Sequence, residues 1–191
     1  MVIGVLALQG DFEAHAAMMR GLGVEVRPVR RVADLAGIDG IVIPGGESTT
    51  LLNLMNDEPW FPALQRFHAG GGAVMGTCAG AILVAKRVTS PAQPSLGLLD
   101  ATVARNAFGR QIDSFEADLP ITGLDEPLHA VFIRAPLVER VGASVEVLAT
   151  VDGRPVCCRQ GAVMVSSFHP ELSDDARLHE LFVRRVADVR T

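Results

Sequence analysis

Three cysteines in 191 residues are too few for a disulfide framework, and the adjacent pair Cys157 and Cys158 is poorly placed to bridge itself. No CxxC pair or Cys/His cluster has zinc-ligand spacing, so no metal is expected, and this cysteine usage fits a reducing, cytoplasmic setting. No apolar run approaches the ~18 residues of a membrane span. The apolar start, Val2–Leu8, lacks a basic flank and a small-residue cleavage site. It runs at once into Asp11 and Glu13, so a strand is expected there and not a leader. Positive charge is also scarce: 17 Lys and Arg against 22 Asp and Glu give a net charge of -5. The basic residues form no stripe, which argues against a nucleic-acid partner. Two nucleotide signatures are missing as well. There is no G-x-x-x-x-G-K-[ST] loop, and the first turn reads Leu8-Gln9-Gly10-Asp11 where a dinucleotide fingerprint would read G-x-G-x-x-G. A small molecule or a protein is the expected partner.

What is present is core-forming material: 49% of residues are hydrophobic and only 20% charged, unlike a disordered chain. The length predicts a single domain over residues 1–191. Short apolar strands at Val2–Leu8, Val24–Val29, Gly40–Ile43 and Ala73–Gly76 alternate with helical patterns. The helical stretches are Phe12–Arg20, a short one around Val32–Leu35, Thr49–Asn56, Pro59–Phe67 and Ala79–Arg87. Such alternation predicts an α/β fold, a three-layer sandwich with a mainly parallel central sheet covered on both faces. The second half reads as strands at Leu99–Val103, Phe115–Leu119, Ala130–Ile133, Val145–Val151, Val156–Arg159 and Ala162–Ser166, with a hairpin turn at Asp152-Gly153. A last helix near Asp174–Val189 sets Leu178, Leu181, Phe182, Val186 and Val189 on one face. Ser90–Leu96 reads as a surface loop.

Gly76-Thr77-Cys78-Ala79-Gly80 follows an apolar strand and opens a helix, the cysteine version of the G-x-S-x-G nucleophile elbow. The flanking glycines let the chain turn sharply, the helix N-terminus favours a thiolate, and the Ala79 N–H is placed to meet an oxyanion. A free cysteine by itself is more often a small buried hydrophobe; the strand–turn–helix setting favours the nucleophile. A thiol needs a base. His15, His68, His129 and His179 fit surface or helix-face positions. His169 instead follows a strand, in Ser167-Phe168-His169-Pro170-Glu171, where Pro170 restricts His169 to extended conformations. Glu171 can then return to the imidazole and hold its tautomer, as the acid does in a Ser-His-Asp arrangement. A third element, Pro44-Gly45-Gly46-Glu47-Ser48-Thr49-Thr50, suits a second oxyanion donor or a ligand loop. Ser48 or Thr49 can equally be the cap of the following helix.

The GTCAG elbow, the PGGES loop and the late HPE together resemble the triad-type (class I) glutamine amidotransferases. LQGD, the RNAFGRQ stretch from Arg105 with Asp113-Ser114-Phe115-Glu116, and Phe132-Ile133-Arg134-Ala135-Pro136 narrow the resemblance to the glutaminase subunits of pyridoxal 5'-phosphate synthases. The resemblance spans essentially the whole chain. It implies a flavodoxin-like fold, L-glutamine as substrate and no cofactor. It also implies a separate barrel-shaped synthase as partner. Carried over by motif, Cys78 is the nucleophile, His169 the base and Glu171 its orienting acid. Gly46, Glu47 and Ser48 fall on the glutamine-binding loop, Arg105, Ile133 and Arg134 on further substrate contacts, and Gly46 and Ala79 on the oxyanion donors. Gln9 and Gly10 fall where such a glutaminase responds to its synthase. From the residues alone, both arginines can also be surface ion-pair partners. A cysteine hydrolase, a glutaminase serving another synthase and a silent binding subunit stay open beside this reading.

Overall fold

A strand that is apolar on both faces has to be covered on both, and crossover helices supply that cover. In the computed structural model, which describes residues 1–105 and 114–189, the first half runs β1 (Val2–Leu6), α1 (Phe12–Gly21), β2 (Glu25–Val29), a 3-10 turn (Val32–Leu35), β3 (Gly40–Ile43), α2 (Ser48–Leu54), α3 (Trp60–Ala69), β4 (Ala73–Thr77) and α4 (Ala79–Val84). The second half runs β5 (Ala85–Thr89), β6 (Leu99–Ala104), β7 (Ser114–Leu119), β8 (Leu128–Ile133), β9 (Leu137–Val141), β10 (Glu146–Val151), β11 (Arg154–Gln160), β12 (Val163–Ser166), a 3-10 turn (Pro170–Leu172) and α5 (Arg177–Val189).

Among the described residues the central sheet has the order β10-β11-β12-β4-β3-β1-β2. From β12 to β2 all pairs are parallel, whereas β10 and β11 form an antiparallel hairpin that joins β12 antiparallel. Pro28 is accommodated because β2 is the edge strand, where a missing N–H breaks no ladder bond. Successive side chains point to opposite faces and build two cores. Ile3, Val5, Val42, Met75 and Met164 pack with Met19 of α1 and Phe182 of α5. Ile41, Ile43, Val74, Val163 and Val165 pack on the other face with Leu51, Trp60, Leu64 and Ile82 from α2, α3 and α4. The result is three layers. Burying each large apolar side chain contributes roughly 1.5–3 kcal/mol. Smaller sheets, β5-β6-β9 and β7-β8, flank the main one. No helix among the described residues is long and apolar enough to cross a membrane.

Several elements depart from the sequence pattern. β1 ends at Leu6, two residues early. The helix expected over Ala79–Arg87 stops at Val84, and Ala85–Thr89 pairs instead in parallel with β6; tertiary pairing overrides a local helical pattern. β9 went unread because Glu139 and Arg140 interrupt the alternation in LVERV. On α5, Val189 is exposed and His179 is buried in the apolar face. Within Ser90–Leu96, Leu96 is in the core and Gln93 accepts a hydrogen bond from the Ser48 hydroxyl, 3.1 Å.

Candidate active site

The carboxyl ends of the parallel strands converge on Cys78. It caps α4 with φ 47° and ψ -104°, a region that costs a non-glycine residue on the order of 1–3 kcal/mol. The backbone enforces it: the Cys78 N–H donates to the Ser166 carbonyl of β12, 2.9 Å, and the Cys78 carbonyl accepts from the Ile82 N–H, 3.2 Å. The turn is possible because α4 lies directly on β3. A Cβ at Gly80 would collide with the Ile43 carbonyl oxygen. α4 is only six residues long, so its dipole contributes less to a thiolate than a helix reaching Arg87 would. Cys157 and Cys158 are buried in the core. Burial pushes Cys158 up to about 12 and Cys157 further, first by desolvation, which leaves both inert thiols.

His169 is held at the end of the segment after β12 by its own N–H, which donates to the Val131 carbonyl of β8, 2.8 Å. Its φ of -103° and ψ of 89° satisfy the restriction that Pro170 places on the preceding residue. The 3-10 turn begun by Pro170 then brings Glu171 back, and His169 Nδ1 lies 2.8 Å from Glu171 Oε1. The Glu171 carboxylate is fully enclosed, and His169 keeps a small opening. Burial lowers the affinity of His169 for its proton, but hydrogen bonds and charge from Cys78 and Glu171 outweigh it and raise the imidazole to about 10. With Nδ1 given to Glu171, Nε2 is the nitrogen left to face Cys78. Burial alone would raise Glu171; hydrogen bonds from His15 and His169, with their charges, hold it well below the usual carboxylate range.

These opposite shifts set a pH dependence. His169 binds its proton more tightly folded than at its ordinary 6.5, so its contribution to stability is complete below about pH 6.5 and is lost as pH rises through about 10. Glu171, shifted down, contributes above its ordinary 4.5 and loses that contribution only as pH falls through its lower folded value. Thermal melts from pH 6 to 10.5 are therefore expected to show an alkaline decline that flattens in His169→Ala. Parallel declines in both proteins would refute this origin.

The loop after β3 faces the elbow. Gly46 has φ 123°, and a Cβ there would strike Gln9 Oε1. The Gln9 side chain grips both sides of this glycine: Nε2 donates to the Gly45 carbonyl, 3.2 Å, and Oε1 accepts from the Glu47 N–H, 3.3 Å. Gly10 lies under the same loop, close to the Gly45 carbonyl. Glu47 caps α2 by accepting from the Thr50 N–H, 2.7 Å. The cap is thus neither Ser48 nor Thr49. Arg105 Nη2 donates to Thr49 Oγ1, 2.7 Å, and lies 3.3 Å from Glu47 Oε1, while its buried Nε has no partner among the described residues. Arg134, with φ 42°, turns the chain at the end of β8.

Gly46, Glu47, Ser48, Cys78, Ile82, Arg105, Ile133, Arg134 and His169 together line a pocket of about 280 Å³. That is small for a drug-sized ligand and in scale with an amino acid. A larger cavity of about 490 Å³, lined by Phe115, Phe132, Val151 and Val156 among others, is mostly apolar. It contains none of these residues. The stretch from Asn106 to Asp113, which helped to narrow the family resemblance, lies outside the described residues.

Two histidines depart from expectation. His15 and His179 are not on helix surfaces but fully buried. His15 Nε2 lies 3.2 Å from Glu171 Oε2 and 3.2 Å from Thr77 Oγ1, and His15 Nδ1 lies 2.8 Å from His179 Nε2. A signal existed in the spacing. His15 falls four residues before buried Met19 and His179 three before buried Phe182, so each sits in an apolar stripe. His129, by contrast, is exposed between Asp118 and Glu116, and His68 Nδ1 meets the Gly72 carbonyl at the end of α3, 3.0 Å.

Comparison with known proteins places this geometry. The SNO glutamine amidotransferase family matches over residues 5–188. The chain is 54% identical over 188 residues to the pyridoxal 5'-phosphate synthase subunit PdxT of Deinococcus radiodurans, covering 96% of each chain. To the PdxT of Thermus thermophilus it is 52% identical over 184 residues, covering 95% of this chain and 96% of that one. A solved glutamine amidotransferase superposes with a TM-score of 0.92 at 49% identity, over 98% of this chain and 100% of the other. At 16% identity a GMP synthase subunit from Thermoplasma acidophilum still superposes with a TM-score of 0.72, over 100% of this chain and 96% of that one, a likeness of fold alone. The chain belongs to the SNO glutamine amidotransferase family.

Proposed function

We propose that the chain, acting as a single domain in the cytoplasm, is the glutaminase subunit of a pyridoxal 5'-phosphate synthase. It hydrolyses L-glutamine to L-glutamate and ammonia and supplies the ammonia to a barrel-shaped synthase subunit. One observation carries this reading. Cys78 and His169, with Glu171 behind the imidazole, meet at a pocket of amino-acid size whose other walls are the Gly46–Ser48 loop, Arg105, Ile133 and Arg134.

Cys78 is the nucleophile. Its thiolate, paired with the His169 imidazolium, attacks the side-chain amide carbon of glutamine, and a C–S bond forms as the carbonyl becomes an oxyanion. The Gly46 and Ala79 N–H groups meet that oxyanion; losing one such donor typically lowers the rate by ~10²–10³. His169 gives its proton to the departing nitrogen, the C–N bond breaks, and ammonia leaves a glutamyl thioester. His169 then takes a proton from water, which cleaves the thioester to glutamate and restores the thiol. Arg105 and Arg134 suit the substrate's α-carboxylate, since a guanidinium fork matches a carboxylate, while Glu47 and Ser48 bound the pocket beside it. The chemistry needs no cofactor.

Gln9 and Gly10 are the proposed point at which the synthase is felt, because Gln9 bonds both flanks of Gly46. Release of glutamate from glutamine, followed with and without an added pyridoxal 5'-phosphate synthase barrel subunit, tests the reading. Strong stimulation is expected. Hydrolysis indifferent to the barrel would remove that partner, and no hydrolysis in either case would remove the glutaminase.

A further inference from the structure

His15 and His179 lie behind the pocket and touch none of its lining, yet they meet the one carboxylate that orients His169. Both are fully buried. A buried imidazole pair has to satisfy its nitrogens, and the proton count permits few arrangements. Ionised Glu171 only accepts. Its Oε1 faces His169 Nδ1, 2.8 Å, and its Oε2 lies 3.2 Å from His15 Nε2 without a well-aligned hydrogen bond.

A proton on His15 Nε2 shared between Glu171 Oε2 and Thr77 Oγ1, each at 3.2 Å, accounts for the length of both contacts. Neutral His15 then has a bare Nδ1, which accepts from the His179 Nε2–H, 2.8 Å. His179 is left with a bare Nδ1 and no partner among the described residues. An unpaired buried acceptor is tolerated better than an unpaired buried donor. Reversing the direction sets a nitrogen lone pair against the carboxylate, and charging His15 makes His179 Nδ1–H an orphan donor. Burial first, and neighbouring His15 second, push His179 down to about 3, in keeping with a neutral ring.

We propose that His15 and His179 are positioning residues of the active site: an uncharged imidazole relay whose N–H groups all point toward Glu171 and so fix the carboxylate that orients His169. The relay crosses the fold, from α5 through α1 to the turn that carries Glu171. That turn spans only three residues, so it has little structure of its own to hold an enclosed anion. Glu171 and His179 are the titratable groups that meet His15, and Cys78 and Glu171 those that meet His169. The effect on rate rests on the glutaminase reading; the geometry does not.

The test is an NMR titration of the full chain that follows the ring signals of His15, His169 and His179, joined to glutaminase kinetics in the presence of the synthase. In the wild type at pH 7, His15 and His179 are expected to be neutral, with the proton on Nε2 in both. His15→Phe keeps a ring but loses the donor. It should lower the titration of His169 from about 10 by roughly one pH unit. It should also reduce kcat about 10–100-fold with KM little changed. His15→Gln, which retains an N–H for Glu171, should recover most of both. A folded His15→Phe with an unmoved His169 titration overturns the proposal, as does a charged or Nδ1-protonated ring in the wild type. Should His15→Phe not fold, the wild-type tautomers and His179→Gln decide: the latter keeps a donor and must leave His169 unmoved. If the wild type hydrolyses no glutamine, the kinetic comparison fails with the glutaminase reading, whereas the titration and tautomers still decide the relay.

Discussion

Cys78→Ala is expected to remove glutamate release by at least ~10⁴-fold, as loss of a triad nucleophile does elsewhere, while the protein remains folded. The side chain is only 6% exposed and small, and alanine keeps the Cβ. The positive φ at this position is imposed by the bonds of Cys78 to Ser166 and Ile82, which involve backbone atoms alone. The unfolding midpoint should therefore move by no more than ~2–4 °C, equivalent to about 1 kcal/mol in a chain of this size. Steady-state glutamate release and a thermal melt on the same preparation check both halves. Residual hydrolysis near the wild-type rate would exclude Cys78 as the nucleophile, and a collapsed melting curve would show that the elbow depends on the thiol for its fold.

Glu171→Gln should be almost as severe, on the order of 10⁴ in kcat, comparable to replacing the orienting carboxylate of a Ser-His-Asp triad by its amide. Two effects act together. Loss of the negative charge removes a partner that holds the His169 proton. The amide also brings its own N–H₂ group into a position that His15 Nε2 and His169 Nδ1 already approach from either side, at 3.2 and 2.8 Å. One amide oxygen cannot serve both, so a donor is left unpaired in an enclosed site, a cost of ~1–3 kcal/mol. The pH profile of kcat discriminates: its alkaline limb should move to lower pH together with the loss of rate. An unaltered limb would mean that Glu171 supports the fold without tuning the base.

The parallel half of the fold was legible because its strands are apolar on both faces and punctuated by glycine. GIVI and AVMGT admit few other environments. Leu137–Val141 and Ala85–Thr89 were not legible. Their strand character comes from pairing with β6, and a local pattern does not record a distant partner. In the site, Cys78, His169 and Glu171 announced themselves through glycine and proline, residues whose backbone restrictions are visible in one dimension. Glu47 as the cap of α2 was missed because Ser48 and Thr49 are the commoner capping types. His15 and His179 were missed for a different reason. A polar residue inside an apolar stripe reads as a blemish until its partner, more than 150 positions away, is seen beside it.

β12 is the last strand in the chain, yet it lies inside the sheet between β4 and β11, with Thr77 opposite Ser166. A chain still being synthesised thus carries its reactive thiol long before the strand that delivers the imidazole exists. Until residue 171 has emerged, Cys78 lacks the Ser166 carbonyl that anchors its turn, as well as His169 and Glu171. The order of the strands works as a timer: an unfinished copy of this chain cannot release ammonia, and proteolytic loss of the C-terminal strand would silence the site without touching the nucleophile.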